Sequence, residues 1–144
     1  EVRLKKYIEM RGTDGGPWKN LCALPAFWVG LLYDSDAQQA AWDLVKDWTD
    51  VEKEEIRKRV PMEGLSTKFR NTTLQQLAKQ VLFISSRGLK NRANFDAAGN
   101  DESGFLDTLR DIADRGMTPA ENLVEAFKTR WSGSVDPVYN ELRY

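Results

Sequence analysis

Four times along this chain a hydroxyl residue stands three positions ahead of a Glu or Gln, just before an apolar run. Ser35 and Gln38 precede AAWDLVKDW, and Thr49 and Glu52 precede VEKEEIRKRV. Thr72 and Gln75 precede LQQLAKQVLFISSRGLKNR, and Thr118 and Glu121, with Pro119 between them, precede AENLVEAFKTRW. That spacing lets side chain and backbone satisfy each other's free N–H groups at a helix start, so each pair predicts a helix. Pro61 is expected to close the second of these helices and Gly116 to stop FLDTLRDIADRG. Leu21 to Tyr33 is apolar nearly all round, which predicts a central buried helix with Pro25 near its first turn. Asp136 and Pro137 open a last short turn or helix. Everything after Trp18 therefore reads as helix and connection, and ANFDAAGNDES as a surface loop.

Only the first residues break this pattern. From Val2 to Arg11 the chain alternates: Val2, Leu4, Ile8 and Met10 fall on one side, with Lys6 the exception. Glu1, Arg3, Lys5, Tyr7, Glu9 and Arg11 fall on the other. Period two predicts a strand with one apolar and one charged face. The expected fold is mainly α with one N-terminal β-strand, divided as a sheet strand over 1–11, a Gly-rich loop over 12–18 and a helical region over 19–144. A lone strand has no partner, and Glu1 opens directly on the pattern without an initiator Met. The expectation is a fragment of a longer protein whose remaining strands lie upstream.

Composition narrows the chemistry. The 144 residues carry a net charge of -1, which gives no electrostatic footprint for nucleic acid or an anionic membrane. The apolar run at 21–33 is too short to span a bilayer, and a soluble, cytoplasmic protein is the default. With no histidine, catalysis by a Ser-His-Asp or Cys-His system within this chain is excluded. The single cysteine, Cys22, has no internal disulfide partner and is expected to be a buried, inert thiol. What remains is chemistry by carboxylates, cations, hydroxyls and a metal held through oxygen.

Glu9 and Arg11, two residues apart on a strand, point the same way as Tyr7. An oxygen ligand for a hard cation beside a planar donor fork is the combination phosphoryl transfer uses. The following GTDGG turn lets backbone approach a ligand closely. On composition alone the commoner reading is a cross-strand ion pair on a solvated sheet face. Lys68 and Arg70 in STKFR offer a second, weaker phosphate contact. Trp28, Trp42, Trp48, Phe27, Phe83 and Phe127 read as core, and so do Leu74, Leu77, Ala78, Val81, Leu82 and Ile84. KEEIRKR reads as a solvated helix face.

The stretch YIEMRGTDGGPWKNLCALPAFWVGLLYD resembles the signature of glutamate–cysteine ligases of the plant and proteobacterial type. The resemblance continues through DLVKDWT, VPMEGLSTKFR, TPAENL and SGSVDPVYNELRY, and covers only the C-terminal portion of those enzymes. It implies a glutamine-synthetase-like α+β fold and an ATP-dependent ligase. That ligase joins the γ-carboxyl of L-glutamate to the amine of L-cysteine through a γ-glutamyl phosphate, the first step of glutathione biosynthesis. In such ligases a Tyr-x-Glu-x-Arg strand supplies a metal-binding glutamate and a phosphate-contacting arginine. Carried over, Glu9 is a magnesium ligand and Arg11 stabilises the transferring phosphoryl group. Tyr7, Asp14 and Trp18 line the substrate or nucleotide pocket. Cys22 matches a cysteine that in plant relatives joins a regulatory disulfide, and a plastid location follows for a plant source. The implied partners are L-glutamate, L-cysteine, ATP and the upstream remainder of the enzyme, with no nucleic acid and no membrane. The fragment alone is expected to be inactive. The alternative is a non-catalytic helical interaction or regulatory module of the same ancestry.

Overall fold

The computed structural model describes residues 2–13 and 15–142. Two short strands, β1 (Val2–Leu4) and β2 (Ile8–Met10), come first. The helices α1 (Trp18–Leu32), α2 (Ser35–Val45) and α3 (Asp50–Glu63) follow. A 3-10 turn (Gly64–Ser66) leads into a small hairpin of β3 (Lys68–Phe69) and β4 (Thr72–Thr73), then the long α4 (Leu74–Arg92). A second 3-10 turn (Glu102–Leu106) runs into α5 (Asp107–Arg115), followed by α6 (Pro119–Lys128) and α7 (Val138–Glu141). The chain is mainly helical, as its cap signals predicted.

The core forms where α1 crosses α4. Ala26, Leu89 and Leu106 are its centre, with Phe27, Val29 and Leu109 packed around them. Glycine makes the close crossing possible: a Cβ on Gly88 would lie 1.9 Å from the Gly30 carbonyl oxygen. On Gly30 it would lie 2.3 Å from the Ser85 carbonyl oxygen. Buried Ser85 donates its hydroxyl to the Phe27 carbonyl at 2.9 Å, so the polar group in the seam is satisfied. The buried face of α4 is thus Leu82, Ser85, Ser86, Gly88 and Leu89. Of the expected stripe only Leu82 is fully buried, because small residues bring the backbones together and leave the larger side chains half-covered at the margins.

The same geometry corrects other expectations. Trp42, Phe83 and Phe127 are exposed rather than core, and α1 has one open side with Leu21 and Leu32 exposed. Cys22 is half-buried. The cap before α2 is Asp34, not Ser35: its carboxylate accepts from the Ala37 N–H at 2.8 Å. That bond, with one from Asn91, pulls its pKa below the usual carboxylate range. Before α4 the cap is Thr73, accepting from Gln76, since Thr72 is held opposite Phe69 in the β3–β4 ladder. Helix α3 continues past Pro61 to Glu63, because a proline one turn from the end removes only one bond; Gly64, at φ 55°, ends it. The boxes at Thr49–Glu52 and Thr118–Glu121 form with both reciprocal bonds. Gly116 stops α5 at φ 66°, where Gln75 donates to the Ala113 carbonyl at 2.7 Å.

The continuous strand expected over 1–11, of which Glu1 lies outside the described residues, is instead a hairpin. Val2 faces Met10, Arg3 faces Glu9 and Leu4 faces Ile8, antiparallel. The alternation is kept, but the two halves of the segment satisfy each other's backbone groups, which an unpaired strand would leave to water.

Candidate functional site

Glu9 lies in the middle of β2, opposite Arg3 of β1. Tyr7 sits in the turn before it, 62% exposed, its carbonyl accepting from the Lys5 N–H at 2.9 Å. Arg11 follows the end of β2 and is exposed; among the described residues it makes no hydrogen bond or ion pair. Its planar fork is therefore available to an anion. Glu9 is more enclosed: its side chain is 29% exposed, and Oε2 is shielded from solvent without a hydrogen bond among the described residues. The Lys5 ammonium lies 3.3 Å from that oxygen. The contact is electrostatic, within ion-pair reach but without hydrogen-bond alignment. A shielded carboxylate oxygen lacking a directed donor suits a cation.

The rest of the predicted set is dispersed. Trp18 opens α1 and is 74% exposed, and Pro17 at the cap leaves no side-chain bond there. Asp14 lies outside the described residues. Cys22, half-buried on the second turn of α1, has no cysteine to pair with in this chain. Arg70 is committed elsewhere: its guanidinium grips Glu52 at 2.6 and 2.8 Å and donates to the Asp47 carbonyl at 2.6 Å. It anchors the β3–β4 turn to the start of α3, so only Lys68, exposed, keeps the phosphate reading open. Lys5, as the partner of Glu9, was not singled out in the sequence; the signal for it was its place on the same side of the alternation.

A metal would find one ligand in this segment. No group of three or more acidic or cysteine side chains able to hold a metal ion occurs among the described residues. Glu9 fits the part of a single oxygen donor to a site completed by other residues. A groove of about 540 Å³ between α2 and α4 is lined by Ala40, Leu44, Gln76, Lys79, Phe83 and Ile84, and none of the motif residues borders it. No helix among the described residues is long and apolar enough to cross a membrane.

Fold and site together define a mainly helical chain with Glu9 in a hairpin and Arg11 just after it, ahead of a Gly-rich loop. Residues 1–141 match the model of the glutamate-cysteine ligase family 2 (GCS2), and the chain belongs to that family. Among its relatives are the chloroplastic glutamate–cysteine ligases of Brassica juncea and Arabidopsis thaliana, each 52% identical over 144 residues. Glutamate–cysteine ligase A of Oryza sativa subsp. indica, also chloroplastic, is 50% identical. Each match covers 100% of this chain but only 26–28% of the relative, so the chain spans about a quarter of their length.

Proposed function

We propose that this chain is the segment of a glutamate–cysteine ligase that supplies one metal ligand and one phosphoryl-contacting arginine. The reaction is the ATP-dependent joining of the γ-carboxyl of L-glutamate to the amine of L-cysteine through a γ-glutamyl phosphate. The observation that carries the reading is the pairing, two residues apart, of a shielded carboxylate oxygen without a hydrogen bond and an uncommitted guanidinium. Glu9 would hold magnesium, which when bound neutralises charge on phosphate oxygens. Arg11 would lie against the transferring phosphoryl group, its fork matching two oxygens. Tyr7, Asp14 and Trp18 would border the substrate or nucleotide pocket. The remaining ligands and the walls of a glutamine-synthetase-like sheet would come from residues beyond these 144, and the partners are ATP, both amino acids and that remainder. The relatives' names place them in chloroplasts, which favours a plastid over the cytoplasm.

The test of the metal role is a magnesium titration of turnover in the intact enzyme carrying Glu9→Gln. Loss of a direct ligand should raise the half-saturating magnesium concentration by about ten-fold or more. An unaltered titration would remove Glu9 from the metal site. The 144 residues alone should form no γ-glutamylcysteine, because one acid and one hairpin do not enclose ATP, metal and glutamate; measurable product would overturn that.

A further inference from the structure

We propose that Asn20 is a positioning residue: it ties the Gly-rich loop after Arg11 to α5, and so sets where the backbone of that loop stands. The inference rests on the reading of this loop as a border of the substrate or nucleotide pocket. The amide of Asn20 acts at both of its ends. Its Oδ1 accepts from the Thr108 hydroxyl at 2.9 Å, a bond between residues 88 positions apart. Its Nδ2 lies under Gly16, where a Cβ would come within 3.1 Å of it and within 3.3 Å of the Asn20 Cβ. Gly16 has no positive φ, so close approach rather than backbone conformation is what a side chain there would disturb.

The tie is closed within this chain. Asn20 stands on the first turn of α1 and Thr108 on the first turn of α5, both half-buried. The two helices meet at the core, where Ala26 of α1 is part of the centre and Leu109, next to Thr108, packs against it. The loop has less of its own to hold it. Residues 11–13 and 15–17 belong to no helix or strand, and α1 begins at Pro17 without a side-chain cap bond. Its end is fixed from below by one residue twice over. The Asn20 N–H donates to the Pro17 carbonyl at 2.8 Å, and the Asn20 side chain supports Gly16. A bond between two uncharged groups adds little to stability, so its weight here is geometric. A misplacement of about 1 Å in an active-site group can cost about 100-fold in rate.

The experiment is kcat of the intact ligase at saturating ATP, magnesium, glutamate and cysteine, per folded enzyme, with melting temperatures measured alongside. Thr108→Val removes the hydroxyl at nearly constant shape and should lower kcat about five-fold or more. Asn20→Leu serves should that variant not fold. Thr108→Ser keeps the donor and should hold kcat within about two-fold of the parent. A loss of stability alone would move the melting temperature and leave kcat unchanged. Gly16→Ala pushes the Asn20 amide aside by a second route, so Gly16→Ala with Thr108→Val should fall no further than the worse single variant. Losses that multiply would show that loop and bond act separately, and would overturn the tie. A parental kcat in Thr108→Val would overturn it too, while Arg11→Lys still lowered turnover. If Arg11→Lys also turns over like the parent, the reading of the segment as part of the active site fails and the positioning role falls with it.

Discussion

At the scale of single residues, the firmest electrostatic feature is the grip of Arg70 on Glu52. The Arg70 guanidinium, followed by the Thr49 N–H, holds the Glu52 carboxyl down from its ordinary 4.5 to about 2. A depressed carboxyl favours the folded state above its unfolded value, and that contribution is lost as pH falls from 4.5 towards 2. Glu52→Gln should therefore lower the melting temperature at neutral pH and flatten its decline across that acid window. Thermal melts of parent and variant at several pH values check this, and parallel curves would contradict it. Half of the arrangement was legible: Glu52 stands three residues after Thr49, which made it a cap partner. Arg70 is 18 positions away, held at a φ of 50° that non-glycine residues seldom adopt, and no local pattern announces such a bond. Parity along the segment put Glu9 and Lys5 on one side, but their contact required knowing where the chain turns.

At the scale of elements, the crossing of α1 and α4 depends on backbones that touch at Gly30 and Gly88. Gly88→Ala would drive a methyl to 1.9 Å from the Gly30 carbonyl oxygen, and the helices must separate to admit it. Overpacking of this severity should cost about 3 kcal/mol. Gly104→Ala, whose added methyl meets nothing within 4 Å, should change stability by about 0.5 kcal/mol or less. Denaturant midpoints of the two variants separate a packing effect from a general effect of losing glycine. At the start of α6, Thr118→Ala removes a cap whose two reciprocal bonds are formed, and should cost about 1 kcal/mol. Helix existence was readable because caps are local chemistry. The buried faces were less so: hydrophobicity pointed to Trp42 and Phe83, which are exposed, while the close seam is made of Gly30, Ser85 and Gly88. Two helices that approach through small residues bury little apolar bulk, so apolar periodicity locates such a seam poorly.

At the scale of the whole molecule, the chain is a mainly helical piece of a longer enzyme, with a hairpin carrying Glu9 at its N-terminal end. Matches covering 26–28% of each relative agree with that picture. Family membership was legible because its motifs run from Tyr7 to the C-terminus. The hairpin was not, since alternation fixes which side a residue takes and says nothing of where a strand folds back. The central claim is that Arg11 meets the transferring phosphoryl group with a planar fork. Its most direct measurement is the turnover number of the intact ligase carrying Arg11→Lys, at saturating ATP, magnesium, glutamate and cysteine. Lysine keeps the charge and loses the two-pronged geometry, so kcat should fall about 100-fold or more. A kcat equal to that of the parent enzyme would contradict the account.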